Sequence, residues 1–212
     1  MQLKQSDIQF GLIPISRSFI LDIVKDYKRP NDKINEWVKN GELISIRRGL
    51  YIPGIKSDLT DPEPFLIANH LRGPSYISLE SALAYWGMIP ERVFEITSAT
   101  IKTSKHYDIT IGRFSFQYLP LPYYSFGVES IQLAPKQNVL IASREKAICD
   151  KIILTSGITL RSIKQTKDLL LDDLRMDENI LRLLDTKMIR SWIENAPKQK
   201  SLEILIKTLQ EL

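Results

Sequence analysis

Cysteine and histidine are scarce in this sequence of 212 residues, which contains one cysteine, Cys149, and two histidines, His70 and His106. A single cysteine excludes an internal disulfide bond, which favours a reducing compartment such as the cytoplasm. The two histidines stand alone, and no spacing of carboxylates suggests a zinc site around them. The sequence also lacks a glycine-rich phosphate loop. We therefore expect neither a metal nor a cofactor.

Long hydrophobic runs are missing as well. The apolar stretches are far shorter than the roughly 20 residues of a membrane-spanning helix, so we expect no membrane partner. The first ten residues, MQLKQSDIQF, lack the pattern of a signal peptide. Hydrophobic residues make up 43% of the chain and charged residues 25%, which is ordinary for a globular protein. These features predict a cytoplasmic protein with one large domain or two small ones.

Positive charge is concentrated near the N-terminus. The whole chain carries a net charge of +4, and residues 1–58 account for most of it, with 10 Lys/Arg against 7 Asp/Glu. A mixed, solvated surface would often give a similar count. The excess nevertheless fits contact between this part of the chain and phosphate groups.

Two helices are predicted in this basic region. Apolar residues at helical spacing over residues 16–28 predict the first helix, with Ser16 or Ser18 as its cap. Pro30 suits the first turn of the second helix, which Asn31 or Asp32 would cap and Gly41 would end. The core expected between these helices and the following strands consists of Phe19, Ile20, Ile23, Val24, Ile34, Trp37, Val38, Leu43 and Tyr51.

A basic β-hairpin is predicted immediately after the second helix. Residues 43–46 and 50–52 are rich in β-forming side chains and flank Arg47-Arg48-Gly49, which we interpret as a three-residue hairpin loop. Two helices followed by a basic hairpin predict a winged helix-turn-helix, whose second helix enters the major groove and whose wing contacts phosphates or the minor groove. Asn35 is the candidate for base reading. The predicted DNA-binding residues are Lys28, Arg29, Asn31, Lys33, Asn35, Lys39, Arg47 and Arg48.

The remainder of the chain predicts a mixed α/β domain with a helical C-terminal tail. Strand patterns cover residues 93–99 and 109–119, residues 128–133 are candidates to pair with them, and the chain reads as helical from Ser143 onward. The predicted fold class is therefore α+β. We expect a winged helix-turn-helix domain over residues 1–57 and an α+β domain over residues 60–212.

Catalytic motifs are weak. Ser78-x-x-Ser81 lacks the lysine of acyl-enzyme hydrolases, so we interpret Ser78 as a helix cap. The run Arg144-Glu145-Lys146 is interpreted as solvated charge in the first turn of a helix. A metal-dependent nuclease site requires carboxylates and a lysine that alternate along a strand, and Glu145 and Lys146 are adjacent in a helical pattern instead. We therefore expect no enzymatic activity.

Three blocks in order resemble the AbiEi-type antitoxin family of type IV toxin–antitoxin and abortive-infection systems. The first is GELISIRRGLYIP, Gly41 to Pro53. The second is YISLESALAYWGMIPE, Tyr76 to Glu91, followed by FEITSAT, Phe94 to Thr100. The third is IASREKAICDKI, Ile141 to Ile152, which is close to the family pattern iA-x-x-EKAL-x-D. The resemblance extends over about residues 16–155.

The resemblance implies a bacterial antitoxin with two functions. Its N-terminal winged helix would repress its own operon at inverted repeats in the operator DNA. Its C-terminal domain would counteract a nucleotidyltransferase-like toxin without a lasting complex between the two proteins. The alternative left open by the residues is a stand-alone winged-helix transcription factor with a C-terminal ligand-sensing domain, and a neighbouring nucleotidyltransferase gene would favour the antitoxin.

Overall fold

The computed structural model describes residues 13–57 and 60–212, which form a mixed α+β fold with two β-sheets. By the density of internal contacts the chain divides into two compact units. The first unit contains the chain up to Leu71 together with Gln132–Val139, and the second contains Arg72–Ile131 and Leu140–Leu212. The predicted domain boundary at residues 57–60 adjoins residues outside the described part and stays a prediction. Within the described ranges, every helix is too short or too polar to cross a membrane.

Short local signals set the helices of the first unit. Ser16 caps α1, because its hydroxyl accepts a 3.3 Å hydrogen bond from the Phe19 amide. The second helix begins at Pro30 and stops before Gly41, its C-cap, which has a left-handed φ of 78°. Asn31 therefore lies within the first turn and does not cap the helix. The helices are α1 (Arg17–Ile23), α2 (Pro30–Asn40) and α3 (Pro64–Leu71).

A three-stranded antiparallel sheet completes this part of the first unit. Its strands are β1 (Ile15–Ser16), β2 (Leu43–Arg47) and β3 (Leu50–Pro53), in the order β1-β3-β2. Arg47 pairs with Leu50, so the hairpin loop is Arg48-Gly49, two residues where the sequence predicted three. The register shifts between Ser45 and Arg47, which leaves one extra residue in β2. The predicted positive φ of Gly49 is confirmed at 78°.

The predicted core of this unit is largely confirmed. Six of the nine predicted residues are buried, and Ile23 and Val38 are half-buried against them. Phe19 was placed in the core wrongly, since 37% of it is exposed. Ile15, which was not among the predicted residues, enters the core from β1. A helical repeat identifies an apolar face but not the strand that comes to cover it, and α1 has only seven residues.

The second sheet has six strands in the order β6-β7-β5-β4-β9-β8. The central strand β4 runs antiparallel to β5 and parallel to β9. The predicted pairing of residues 128–133 with the 93–119 strands is wrong, because β8 lies at the opposite edge, beside β9. The strands are β4 (Ser75–Ile77), β5 (Glu95–Thr100), β6 (Lys105–Ile109), β7 (Gly112–Tyr118), β8 (Val128–Ala134) and β9 (Gln137–Ala142).

The remaining helices follow β4 along the chain, and the predicted helical tail is confirmed. Ser143 caps α5, since its hydroxyl accepts a hydrogen bond from the Lys146 amide. Helix α5 packs against α4, α8 and α9. The helices are α4 (Leu79–Tyr85), α5 (Arg144–Leu154), α6 (Ile163–Lys167) with a π-helical turn at Asp168–Asp173, α7 (Glu178–Arg182), α8 (Thr186–Trp192) and α9 (Gln199–Gln210).

Candidate functional site

The outward face of α2 presents two amides and a lysine. Asn31, Asn35 and Lys39 follow one another at intervals of four residues, and all three are exposed. Residues at this spacing lie on the same side of a helix. Ile34 and Trp37 occupy the other side and are buried in the core. The core thus fixes the rotation of α2 and determines which residues face solvent.

Cations surround the N-terminal end of α2. Lys28 and Arg29 are exposed in the segment that precedes the helix. Arg29 approaches Asp32 at 3.8 Å, but both side chains are largely exposed, so this ion pair holds the guanidinium only weakly. Both predicted cations therefore have charge available for an anionic partner.

Lys33 differs from the other predicted residues. Its side chain is only 10% exposed, and its ammonium donates a 2.8 Å hydrogen bond to Glu36. The ammonium also lies over the rings of Tyr27 and Trp37, at 5.8 and 5.6 Å from their centroids. The hydrogen bond to Glu36 raises the pKa of Lys33. Lys33 is thus engaged within the first unit and is the least available of the predicted phosphate contacts.

Arg17, which was not among the residues predicted from the sequence, connects α2 to the hairpin. Its guanidinium Nη2 donates a 2.9 Å hydrogen bond to Asn31 Oδ1, and its backbone N–H donates one of 2.9 Å to the carbonyl of Gly49. The first turn of α2, the start of α1 and the hairpin loop therefore lie side by side. A cation in the first turn of a helix opposes the helix dipole. That unfavourable placement was the sequence signal for a second role of Arg17.

The hairpin adds two further guanidinium groups, one at the end of β2 and one in the loop. Arg47 and Arg48 are both exposed, and within the described ranges no carboxylate forms an ion pair with either. Because Arg17 binds the carbonyl of the adjacent Gly49, these arginines lie close to the start of α1. The first unit thus presents amides on a helix face beside a group of arginines, an arrangement suited to contact with a polyanion.

A second cluster of polar residues lies in the core of the second unit. Lys146 and Asp150 are fully buried on α5, and the ammonium lies 3.2 Å from Asp150 Oδ1. Tyr76 and Ser78 donate hydrogen bonds of 2.8 and 2.7 Å to the other carboxylate oxygen. Lys146 also donates a 2.9 Å hydrogen bond to the carbonyl of Tyr123 and lies 3.3 Å from the centroid of its ring. We call these five residues the Lys146–Asp150 cluster.

This cluster corrects two sequence interpretations. Ser78 occupies the cap position of α4 but makes no side-chain capping bond, and its hydroxyl binds Asp150. Lys146 is buried where solvated charge was predicted. The interval of four residues between Lys146 and Asp150 was the available signal, because it places both groups on one side of a helix that also carries apolar residues.

Burial disfavours both charges of the pair. It raises the pKa of the Asp150 carboxyl and lowers the pKa of the Lys146 ammonium, and each partner opposes the shift of the other. Burial also raises the pKa of the Cys149 thiol. The polar contacts of the cluster are made inside the protein. They link β4, α5 and the turn that contains Tyr123, so we interpret the cluster as structural.

Metal-binding side chains are not grouped in the described part of the chain, where no three His, Cys, Asp or Glu residues come together. No protein-family model matches the sequence, and no curated protein matches it.

Proposed function

We propose that the chain is the DNA-binding antitoxin of a type IV toxin–antitoxin system. Residues 15–53 act as a winged helix, in which α2 is the recognition helix and the β2–β3 hairpin is the wing. This unit binds inverted repeats in the operator and represses the operon. The second unit counteracts a nucleotidyltransferase-like toxin, without a lasting complex.

One observation carries the DNA-binding part of the proposal. The exposed face formed by Asn31, Asn35 and Lys39 lies on the helix whose first turn is bonded through Arg17 to the start of α1, beside the hairpin loop. A duplex that receives α2 in its major groove thus meets the wing arginines at the same time. The core behind α2 holds this arrangement without help from the DNA.

The exposed residues divide into two roles by their chemistry. Asn35 lies at the middle of the exposed face, where its amide can donate to and accept from the edge of an adenine. Asn31 is already held by Arg17 and serves to orient the helix. Lys28, Arg29 and Lys39, at the two ends of α2, contact phosphates, since lysine and arginine outside a groove carry little sequence information.

The antitoxin part of the proposal rests on the resemblance of the three sequence blocks. For the second and third blocks there is also a physical reason for these residues, because residues of both blocks contact one another. Tyr76 and Ser78 come from the second block, Lys146 and Asp150 from the third, and the four meet in the Lys146–Asp150 cluster. Two charged residues of the third block, Lys146 and Asp150, therefore lie in the core of the second unit. The surface that opposes the toxin is supported by this core.

The wing arginines give the sharpest test of DNA binding. We expect Arg47→Ala with Arg48→Ala to weaken binding to the operon's own operator at least tenfold, or about 1.4 kcal/mol. The slope of log affinity against log salt should fall by about one unit for each lost phosphate contact. Lys164→Ala with Lys200→Ala is the matched control, because both lysines are exposed and the net charge changes equally.

Operator binding is measured by fluorescence anisotropy over a range of salt concentrations. Equal affinities for the wing variant and the wild type would remove the wing from the interface, and equal losses in both double variants would indicate a general charge effect. A growth-rescue assay with the adjacent nucleotidyltransferase gene tests the second half. The wing variant should lose repression and still rescue growth, and the opposite pattern would contradict the division of labour.

A further inference from the structure

A pocket of about 350 Å³ opens on the first unit between the start of α1 and the hairpin. Its wall is mainly apolar and is formed by Ile13, Ile15, Phe19 and Leu50. This volume lies at the lower end of the range for sites that bind small organic molecules. Such a molecule would contact side chains of β1, α1 and the hairpin.

Phe19 and Ile13 indicate that the pocket is suited to an apolar ligand. They are large apolar side chains that remain 37% and 39% exposed, and both line this pocket. Phe19 sits on the amphipathic stripe of α1, where the sequence predicted a core residue. Its ring forms part of the pocket wall and leaves apolar surface exposed, which an apolar ligand could cover.

Three described residues with polar side chains line the pocket, and one of them is a cation. Arg47 lines it from the hairpin, and its guanidinium forms no ion pair with a described carboxylate. His70 lines it from α3, and desolvation lowers the pKa of its imidazole, so that it is mostly neutral at pH 7. Ser16 also lines the pocket, but its hydroxyl already caps α1. Among the described residues that line the pocket, Arg47 is therefore the one whose side chain offers a ligand a formal charge.

We propose that this pocket binds a small amphipathic carboxylate, whose apolar body lies against Phe19 and Leu50 and whose carboxylate pairs with Arg47. A guanidinium recognises a carboxylate through two parallel hydrogen bonds, which an alcohol or an amide does not reproduce. Arg47 is also a wing residue, so a bound carboxylate neutralises one of the charges offered to DNA. This regulatory consequence rests on the proposed DNA-binding function, whereas the binding of the ligand does not.

The two arginines of the hairpin provide a matched pair of variants. Arg47 lines the pocket and Arg48 does not, although both are exposed and adjacent. Calorimetric titration of the full chain with 4-phenylbutyrate should give saturable binding, with a dissociation constant of about 0.1 to 1 mM. Arg47→Gln should weaken this binding at least tenfold, and Arg48→Gln should leave it within about twofold. The alcohol 4-phenylbutan-1-ol should bind the wild type at least tenfold more weakly than the acid.

A second variant tests the apolar wall without loss of the fold. Phe19 occupies the third position of α1 after its cap, Ser16, where a glutamate completes a capping box. Phe19→Glu therefore preserves the helix and places a negative charge in the pocket. It should abolish detectable binding of 4-phenylbutyrate, while circular dichroism remains that of the wild type.

The experiments test the ligand site, its effect on DNA binding and the proposed function separately. Failure of 4-phenylbutyrate to bind the wild type, equal binding of the acid and the alcohol, or unchanged binding by Arg47→Gln would each overturn the proposed site. Saturating 4-phenylbutyrate should weaken operator binding by the wild type and leave the Arg47→Gln protein unaffected. If the ligand binds through Arg47 and operator affinity does not change, the regulatory consequence is wrong. If the wild type does not bind the operator at all, the proposed function fails, and the calorimetry still decides the pocket.

Discussion

Replacement of Lys146 by methionine tests the buried cluster of the second unit. Methionine keeps most of the length of the side chain, and it removes the charge together with the hydrogen bond to the carbonyl of Tyr123. The variant then leaves Asp150 in the core with hydrogen bonds from Tyr76 and Ser78 but without its cation. Because Lys146 and Asp150 have no exposed surface, water cannot replace the lost partner unless the core opens.

The expected magnitude follows from that isolation. Removal of one partner from a buried ion pair costs about 3–5 kcal/mol, since the remaining charge is uncompensated. Adding Asp150→Asn should recover at least half of this loss, because the amide oxygen still accepts from Tyr76 and Ser78 and no buried charge remains. Lys151→Met is the matched control, since its partner Glu80 is partly exposed, and we expect a loss of at most about 1 kcal/mol.

The loss should also depend on pH. Burial raises the pKa of Asp150 above its unfolded value, so the ionised carboxylate lowers the stability of the folded state above the unfolded pKa. Without Lys146 this pKa should rise further. The stability difference between Lys146→Met and the wild type should therefore be largest near neutral pH. It should shrink as the pH falls through the folded pKa of Asp150, because protonation removes the unpaired charge.

Urea denaturation at several pH values measures these differences. A Trp37→Phe background leaves Trp86 and Trp192 as fluorescent probes, and both belong to the second unit. A free energy of unfolding for Lys146→Met within about 1 kcal/mol of the wild type at pH 7 would refute the buried ion pair. A double variant no more stable than Lys146→Met, or a difference that grows in acid, would refute the assignment of the cost to the Asp150 charge.

Two further predictions concern the first unit. A Cβ on Gly54 would lie 2.2 Å from the backbone carbonyl oxygen of Gly41. Gly54→Ala should therefore destabilise this unit by about 1–3 kcal/mol in urea denaturation. The control is Ile55→Ala, at a side chain that is 98% exposed, and it should change the stability by no more than about 0.5 kcal/mol. Trp37 is 3% exposed at the centre of the core, so Trp37→Ala should cost about 3–5 kcal/mol by thermal or urea unfolding, and a change near zero would contradict the assignment of the α2 face.

Local signals explain why several elements were predictable. The start of α2 at Pro30 and its end at Gly41 depend on the backbone preferences of those residues alone. The cap of α5 depends on Ser143 and an amide three residues away. The buried face of α2 follows from the spacing of Ile34 and Trp37. Each of these features is set by residues within one or two turns of one another, so the sequence was enough to determine it.

Contacts between distant segments decided the rest. Ile15 joins the core because β1 pairs with β3, and that pairing joins residues some 35 positions apart. Arg17 reaches Asn31 and Gly49 by the same pairing, and Phe19 is left to line a pocket. Lys146 is buried because β4 brings Tyr76 and Ser78 to the carboxylate of Asp150, more than 70 residues along the chain. A charged residue in a helical pattern is predicted to be exposed to solvent when no partner is known. A charge can be buried only where an opposite charge and hydrogen bonds compensate it, and here those come from distant parts of the chain.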